Sequence, residues 1–122
     1  MADPRFVVLR HQPGAAGRRE LHWDLMLEAG GQLRTWALDR EPAADTIIAA
    51  TRLADHRSDY LDYEGPISGG RGEVRRFDHG TYQLLSETSD QLVVRLEGQQ
   101  LNAQVTIAQL CGEQCRVEFS AG

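Results

Sequence analysis

Alternating apolar and polar positions recur in short segments along most of the chain, and the clearest case is Leu21–Ala29 (LHWDLMLEA). Every second residue from Leu21 to the end of the LHWDLML stretch is a large apolar one, whereas His22 and Asp24 occupy intervening positions. Because successive side chains of a β-strand point to opposite faces of a sheet, this pattern predicts a strand with one apolar face. Gly30-Gly31 follows directly and predicts a two-residue hairpin turn into the next strand.

Similar short segments, separated by Gly and Pro, extend from Arg5–His11 to Gln114–Ser120. The segment Thr46–Leu53 also fits a short helix, although we favour a strand, and FDHGTY is expected to form a hairpin turn that exposes His79. About seven or eight strands with short connections predict an all-β fold, a compact antiparallel β-barrel, with a sandwich as the alternative.

Two segments of the chain are predicted to be loops. The stretch Gln12–Glu20 (QPGAAGRRE) is expected to be flexible, and the Gly-rich segment 55–72 (DHRSDYLDYEGPISGGRG) is too long for a simple turn. Loops as long as the second usually carry function or wrap a core. Residues of chemical interest are therefore expected in it.

The 122-residue chain has the length of one domain, residues 1–122, and its 41% hydrophobic and 25% charged residues are typical of a water-soluble globular protein. No apolar run reaches the roughly 18 residues that a membrane span requires. The N-terminal residues lack the features of a secretory signal, so a cytoplasmic location is expected. Cys111 and Cys115 are then expected to be free thiols, because reducing compartments disfavour disulfides.

The net charge of -5 argues against a protein that coats nucleic acid through nonspecific electrostatics, although it is compatible with the capture of a single nucleic-acid end. All thirteen basic residues are arginine. Any phosphate binding would therefore use planar, bidentate guanidinium groups. Biased codon usage explains the absence of lysine equally well.

The strand pattern indicates His22 and Asp24 as candidate metal ligands. Two positions apart on a strand, they project from the same face with Cα atoms roughly 7 Å apart, so both side chains can reach one ion. Mixed nitrogen and oxygen ligands suit manganese, iron or zinc. An H-x-D pair is short and common, however, and on spacing alone a surface pair without a ligand remains the alternative.

Three longer runs occur in the order found in a known family. The run HWDLMLEAGGQLRTWAL resembles the H-Y-D-F-R-L-E-L-D-G-x-L-x-S-W-A-V segment of the 3'-phosphoesterase domain of bacterial DNA ligase D. DHRSDYLDYEGPISGGRGEV resembles its D-H-P-L-D-Y-x-D-F-E-G-x-I-P-x-G-x-Y-G-x-G-x-V segment, and FDHGTY its W-D-R-G-T-W. The resemblance implies a compact β-barrel with a manganese-dependent activity. That activity removes a terminal ribonucleoside and then the 3'-phosphate from DNA or DNA/RNA primer ends, leaving a 3'-hydroxyl.

The resemblance also implies a set of site residues. His11, His22 and Asp24 match the family's metal ligands, and we expect them to converge inside the barrel. His56 matches the histidine that engages the scissile phosphate, and Tyr60 matches the tyrosine four residues later. Arg40 falls near a family lysine and is expected to contact phosphate. The acidic residues of the long loop are expected to brace it: Asp59, Asp62 and Glu64. The partners expected are a 3' nucleic-acid end and ligase or polymerase repair proteins, and the chain is expected to be a monomer.

Met26 departs from the family pattern, because it stands where the family has a catalytic arginine. Arg52 is the preferred replacement, since it shares strand parity with His56, and Arg18 and Arg19 in the first loop are further candidates. Without a replacement, the chain is instead a noncatalytic relative that binds a nucleic-acid end or a protein partner. A different phosphoester or nucleotide substrate is a third possibility, because the acidic net charge is unlike that of a dedicated DNA binder.

Overall fold

The structure is a computed structural model that describes residues 3–15 and 19–121, so Arg18 lies outside the described residues. Within those residues it has no helix that is long and apolar enough to cross a membrane. Cys111 is exposed, Cys115 is buried, and the two are not bonded to each other, as predicted.

Among the described residues, nine antiparallel strands form one sheet. Their bounds are β1 Arg5–Gln12, β2 His22–Ala29, β3 Gln32–Leu38, β4 Thr46–Arg57, β5 Gly65–Pro66, β6 Glu73–Glu87, β7 Gln91–Gly98, β8 Asn102–Cys111 and β9 Gln114–Ala121. A short 3₁₀ helix, Ser58–Leu61, follows β4. The strand order is β1-β2-β3-β4-β9-β8-β7-β6-β5, and β1 also pairs with β6, so the eight long strands close in a ring. The all-β, antiparallel prediction is confirmed.

Turn chemistry and strand pattern were predicted correctly in the first half of the chain. Gly30 and Gly31 have φ values of +61° and +82°, as a primed hairpin turn requires, and they pair Leu27 with Arg34. The segment 46–53, for which both a helix and a strand were considered, is extended and forms most of β4. The strand alternative was therefore the correct one.

The predicted turn at FDHGTY is wrong, because β6 runs through it as one continuous 15-residue strand. The first part of β6 pairs with β1 and the second part with β7, so this strand joins the two ends of the ring. A Cβ at Gly80 would lie 2.0 Å from the Glu97 carbonyl oxygen. Glycine is therefore needed here for the close approach of two strands and not for a turn.

The interior of the ring holds the main apolar core, to which all eight long strands contribute. Trp23 and Trp36 belong to it, as their alternating pattern indicates. A second, smaller cluster lies on the opposite face of β1, β2 and β3; its buried members are Val7, Leu9, Met26, Leu33, Leu61 and Val74. The outer surface of these three strands is thus also covered by protein.

The segment after β4 provides this cover, with Leu61 buried in the second cluster and Tyr60 and Ile67 packed against it. Two of the three acidic residues brace the segment as predicted: Asp62 forms an ion pair with Arg5 at 2.8 Å, and Glu64 accepts a hydrogen bond from the backbone N–H of Arg76 at 3.0 Å. The long loop therefore covers the outer face of β1, β2 and β3.

Candidate metal centre

His11, His22 and Asp24 meet where β1 pairs with β2. The strand register places His11 directly opposite His22, with Asp24 two residues further along β2. His11 Nδ1 lies 3.2 Å from Asp24 Oδ2, and His22 Nε2 lies 3.1 Å from Asp24 Oδ1. One ligand atom from each residue lies within 4.8 Å of the others, which is the spacing of a cluster able to hold a metal ion.

The cluster lies on the outer face of the ring and not inside it, contrary to the expectation from the sequence. Trp23 and Leu25 belong to the interior core, whereas Met26 belongs to the outer cluster. His22 and Asp24 share the parity of Met26, so the period of two places them outside. His22 and Asp24 are nevertheless 7% and 2% exposed, because the segment after β4 and neighbouring loops cover this face.

Backbone carbonyls fix the orientation of both imidazoles. His11 Nε2 lies 3.0 Å from the Arg71 carbonyl oxygen, and His22 Nδ1 lies 2.9 Å from the Glu20 carbonyl oxygen. A ring nitrogen can bond to a carbonyl only as a donor, so these outer nitrogens carry protons. When the inner nitrogen of a ring carries no proton, its lone pair points toward Asp24. This is the arrangement that orients histidines in metal sites.

The electrostatics of the cluster call for a cation. Burial alone raises the pKa of Asp24, but the hydrogen bond from His11 and the close approach of His22 outweigh it and hold that pKa below its usual value. The hydrogen bond to Asp24 raises the pKa of His11, against burial, which lowers it. Asp24 Oδ1 is buried and makes no well-aligned hydrogen bond among the described residues. A divalent transition metal ion can take the place of a proton between the inner imidazole nitrogens and the ionised carboxylate, and this mixed nitrogen and oxygen ligand set fits such an ion.

A cavity of about 90 Å³ adjoins the cluster, and the structure brings two further predicted residues to it. Its lining comprises His11, Asp24, Met26, His56, Tyr60, Ile67, Arg71 and Val74. The rings of His56 and Tyr60 meet edge to face with centroids 5.6 Å apart. His56 Nδ1 lies 2.9 Å from the Ala54 carbonyl oxygen, so Nδ1 donates to it and Nε2 is the nitrogen with the lone pair.

Arg52 does not face this cavity, and the expectation that it does was wrong. β3 pairs Leu33 with His56 but Thr35 with Leu53, so β4 contains one extra residue between these pairs. A bulge of this kind reverses the side-chain parity of the strand. Arg52 therefore lies on the interior side, with its guanidinium carbon 4.8 Å from the centroid of Trp36.

The other predicted arginines also lie elsewhere. Arg40 donates a hydrogen bond to the Ile47 carbonyl oxygen at 2.7 Å, and it is not among the residues lining the cavity beside Asp24. Arg19 lines a different cavity of about 370 Å³ beside His22. Neither arginine therefore replaces the guanidinium that the family has at the position of Met26.

Comparison with known proteins identifies the family. A sequence model of the DNA ligase D 3'-phosphoesterase domain matches residues 14–109. The chain belongs to this family. The matched range includes His22, Asp24, His56 and Tyr60 but not His11, which the register of β1 with β2 brings to the cluster.

Individual relatives agree with the family match. Over 93 residues the chain is 32% identical to the multifunctional non-homologous end joining protein LigD of Pseudomonas aeruginosa, which covers 72% of this chain and 10% of that protein. It is 27% identical over 117 residues to the multifunctional non-homologous end joining DNA repair protein LigD of Mycobacterium tuberculosis, covering 88% of this chain and 15% of that protein. The LigD protein of Mycolicibacterium smegmatis is 28% identical over 129 residues, with 91% and 16% covered. The chain thus spans roughly an eighth of the length of these relatives.

Arg71 is the site residue of this family member that sequence reasoning missed. It lines the cavity beside the cluster, and its carbonyl oxygen accepts the hydrogen bond from His11. Arg71 lies in a Gly-rich loop without periodicity, so no pattern in the sequence indicates its position. Met26, the departure from the family, is 1% exposed and lies in the same cavity lining.

Proposed function

We propose that this chain is a metal-dependent 3'-phosphoesterase domain that trims nucleic-acid 3' ends during end joining, removing a terminal ribonucleoside and then the 3'-phosphate. The observation that carries the proposal is the buried cluster of two oriented imidazoles and one carboxylate beside a cavity lined by His56 and Tyr60. Membership of the DNA ligase D 3'-phosphoesterase domain family supports a role in processing DNA ends.

Manganese, or another divalent transition metal ion, is the proposed cofactor. His11 Nδ1, His22 Nε2 and the Asp24 carboxylate would hold it. When bound, such an ion neutralises phosphate charge and activates a water for in-line attack. The protein's own contribution is to present both imidazoles in the ligating tautomer, because the Arg71 and Glu20 carbonyls hold the outer N–H groups.

His56 and Tyr60 are the proposed phosphate-binding pair. With Nδ1 committed to the Ala54 carbonyl, Nε2 of His56 is left for the phosphate, and in the imidazolium form it would donate its N–H to a phosphate oxygen or pass that proton to the leaving oxygen. The Tyr60 hydroxyl is a donor for a second phosphate oxygen. Both residues line the cavity that the metal cluster adjoins, so one phosphate group can contact all of them.

Met26 favours a second candidate function, a noncatalytic relative that binds a nucleic-acid end or a protein partner. Its thioether replaces a guanidinium in the cavity lining and cannot donate a hydrogen bond to a phosphate oxygen. Loss of such a donor typically slows an enzyme by about 100- to 1000-fold. A binding module would retain the metal cluster without turnover.

One assay separates these two functions. Purified protein with manganese is incubated with a 3'-phosphate primer and with a 3'-ribonucleotide primer, next to the His22→Ala variant. The proposed enzyme converts both primers, and His22→Ala does not. Tight manganese binding with no conversion of either primer would identify the binding module, and conversion that survives in His22→Ala would exclude this site altogether.

His56→Ala is expected to lower turnover of the 3'-phosphate primer by about 100-fold, because a positioned proton donor or acceptor contributes at least that much. Manganese affinity, measured by calorimetry, is expected to remain within about twofold of wild type, because His56 is not one of the clustered ligands. His79→Ala is the matched control, since His79 is outside the lining of the cavity. Equal turnover in the two variants would remove His56 from the mechanism.

Gly72→Ala is expected to weaken manganese binding by about tenfold through the second shell of the cluster. Gly72 has a φ of +97°, and a Cβ there would lie 1.9 Å from the Gln12 carbonyl oxygen, so the loop must shift. That shift moves the neighbouring Arg71 carbonyl, which orients His11.

Gly112→Ala is the matched control for Gly72→Ala. Gly112 also has a positive φ, +58°, but a Cβ there meets no atom within 4 Å among the described residues. Both variants place a Cβ at a backbone position with positive φ, and only Gly72→Ala displaces the loop. An unchanged manganese affinity in Gly72→Ala would show that the Arg71 carbonyl does not orient the ligand.

A further inference from the structure

Arg71 lies at the junction of two cavities on the outer face of the ring. It lines the cavity of about 90 Å³ beside Asp24 and also a larger one of about 330 Å³. The larger cavity is lined as well by Arg57, Asp59, Tyr60, Tyr63, Pro66, Ile67 and Ser68. We propose that Arg71 is the phosphate-binding arginine of this site, a proposal that rests on the proposed function.

A backbone contact of Arg71 fixes its position next to the cluster of His11, His22 and Asp24. Its carbonyl oxygen accepts the His11 Nε2 hydrogen bond at 3.0 Å. Its guanidinium is held from the side, because Nε donates to the Ser68 carbonyl oxygen at 2.8 Å and Nη2 lies 3.4 Å from Ser68 Oγ. A guanidinium has five N–H donors in a fixed fork, so these two contacts leave donors for a phosphate oxygen.

A guanidinium in the small cavity would add to the positive charge that the proposed metal ion supplies there. A terminal phosphate would enter beside the Asp24 carboxylate, and Met26 provides no compensating charge from the cavity lining. Arg71 is the one arginine, among the described residues, that lines this cavity. Arginine binds phosphate through parallel N–H bonds with more specificity than a point charge. Arg71 therefore supplies from the loop the guanidinium that β2 lacks at Met26.

The larger cavity provides room for the nucleoside attached to that phosphate. Its volume of about 330 Å³ is at the lower end of the range for small-molecule sites. The rings of Tyr60 and Tyr63 meet edge to face within its lining, with centroids 6.0 Å apart, and Arg57 adds a second cation. Aromatic rings beside cations are the combination that binds single-stranded nucleic acid. A phosphate bound by Arg71 in the small cavity can thus remain bonded to a nucleoside that lies in the larger cavity.

The test uses Arg71→Gln, Arg71→Lys and, as the matched control, Arg116→Gln on β9. Arg71→Gln is expected to lower kcat on a 3'-phosphate primer by about 100-fold. Arg71→Lys is expected to retain more turnover than Arg71→Gln, because it keeps the charge but loses the fork. Arg116→Gln is expected to match wild type. Manganese affinity by calorimetry should be unchanged in all three, which also reports that the cluster has folded.

A binding measurement makes the result independent of turnover. Fluorescence anisotropy without manganese, so that the 3'-phosphate is not hydrolysed, compares an oligonucleotide ending in a 3'-phosphate with the same oligonucleotide ending in a 3'-hydroxyl. Arg71→Gln is expected to weaken binding of the first by at least about tenfold and to leave the second unchanged. Equal affinities of Arg71→Gln and wild type for the 3'-phosphate end, or an equal loss for both ends, would overturn the assignment.

The two proposals fail in different ways. If the wild-type protein converts neither primer, the proposed function is wrong, and the anisotropy comparison still decides whether Arg71 recognises a 3'-phosphate. If the wild type converts both primers and Arg71→Gln does so at a rate within about twofold, the function stands and the role of Arg71 is refuted. The absence of any preference of the wild type for the 3'-phosphate end also refutes it.

Discussion

Asp24→Asn abolishes manganese binding and lowers primer turnover by about 1000-fold or more, if the cluster is the metal site. The substitution keeps the size of the side chain but removes the only negative charge of the cluster, at a position that is 2% exposed. Loss of an outer partner of a metal ligand already costs about 10- to 100-fold, so loss of an anionic ligand costs more. Calorimetric titration with manganese and the 3'-phosphate primer assay measure the two effects.

Asp90→Asn is the control for that substitution, since Asp90 lies in the turn between β6 and β7 and contacts Thr88 rather than the cluster. Its manganese affinity and turnover are expected to equal those of wild type. Circular dichroism of both variants without metal checks that the fold is kept. Manganese affinity of Asp24→Asn within about tenfold of wild type would place the ion elsewhere in the protein.

Asp78→Ala is expected to lower the free energy of unfolding by about 4 kcal/mol. Asp78 is 2% exposed, and its carboxylate accepts backbone hydrogen bonds from Gln99 at 2.9 Å and from Leu101 at 2.7 Å. The N–H of Gln100 lies 3.2 Å from both carboxylate oxygens. Each bond to a charged acceptor contributes roughly 1.5–3 kcal/mol, and alanine leaves all three N–H groups of the β7–β8 turn without this acceptor.

Urea unfolding of the metal-free protein measures this loss. Asp78→Asn is the informative companion, because its single carbonyl oxygen can serve only some of the three donors, and a loss between those of wild type and Asp78→Ala is expected. Asp90→Asn again serves as the exposed control. A change below about 1 kcal/mol in Asp78→Ala would mean that the turn finds other acceptors or water.

Local patterns predicted the residues of the cluster but not the face on which it lies. Alternation in Leu21–Ala29 places His22 and Asp24 on one side of a strand, and the pairing of Leu27 with Arg34 follows from the two-glycine turn. Both faces of β2 carry buried residues, however, with Leu25 inside the ring and Met26 in the outer cluster. Which face is the interior depends on how the ring closes, and that depends on strands far apart in the sequence.

Arg52 and Arg71 show the limit of parity arguments. One extra residue in β4 reverses the face of every residue before it, so Arg52 stacks on Trp36 although His56 lines the cavity beside Asp24. A bulge is specified by the pairing of two strands and not by a motif within one. Arg71 reaches the same cavity from a loop without periodicity, because His11 holds its carbonyl across 60 positions of sequence separation.

The amino-acid sequence on its own determines most of the strands, the tight turn at Gly30-Gly31 and the family, since period-two alternation, glycine at turn positions and motif order are local properties of the chain. The closure of the ring through β1 and β6, the continuity of β6, the outer position of the cluster and the arrival of Arg71 were decided by tertiary structure alone. These features arise from contacts between residues distant in sequence, whose free energies depend on the packing of the whole fold.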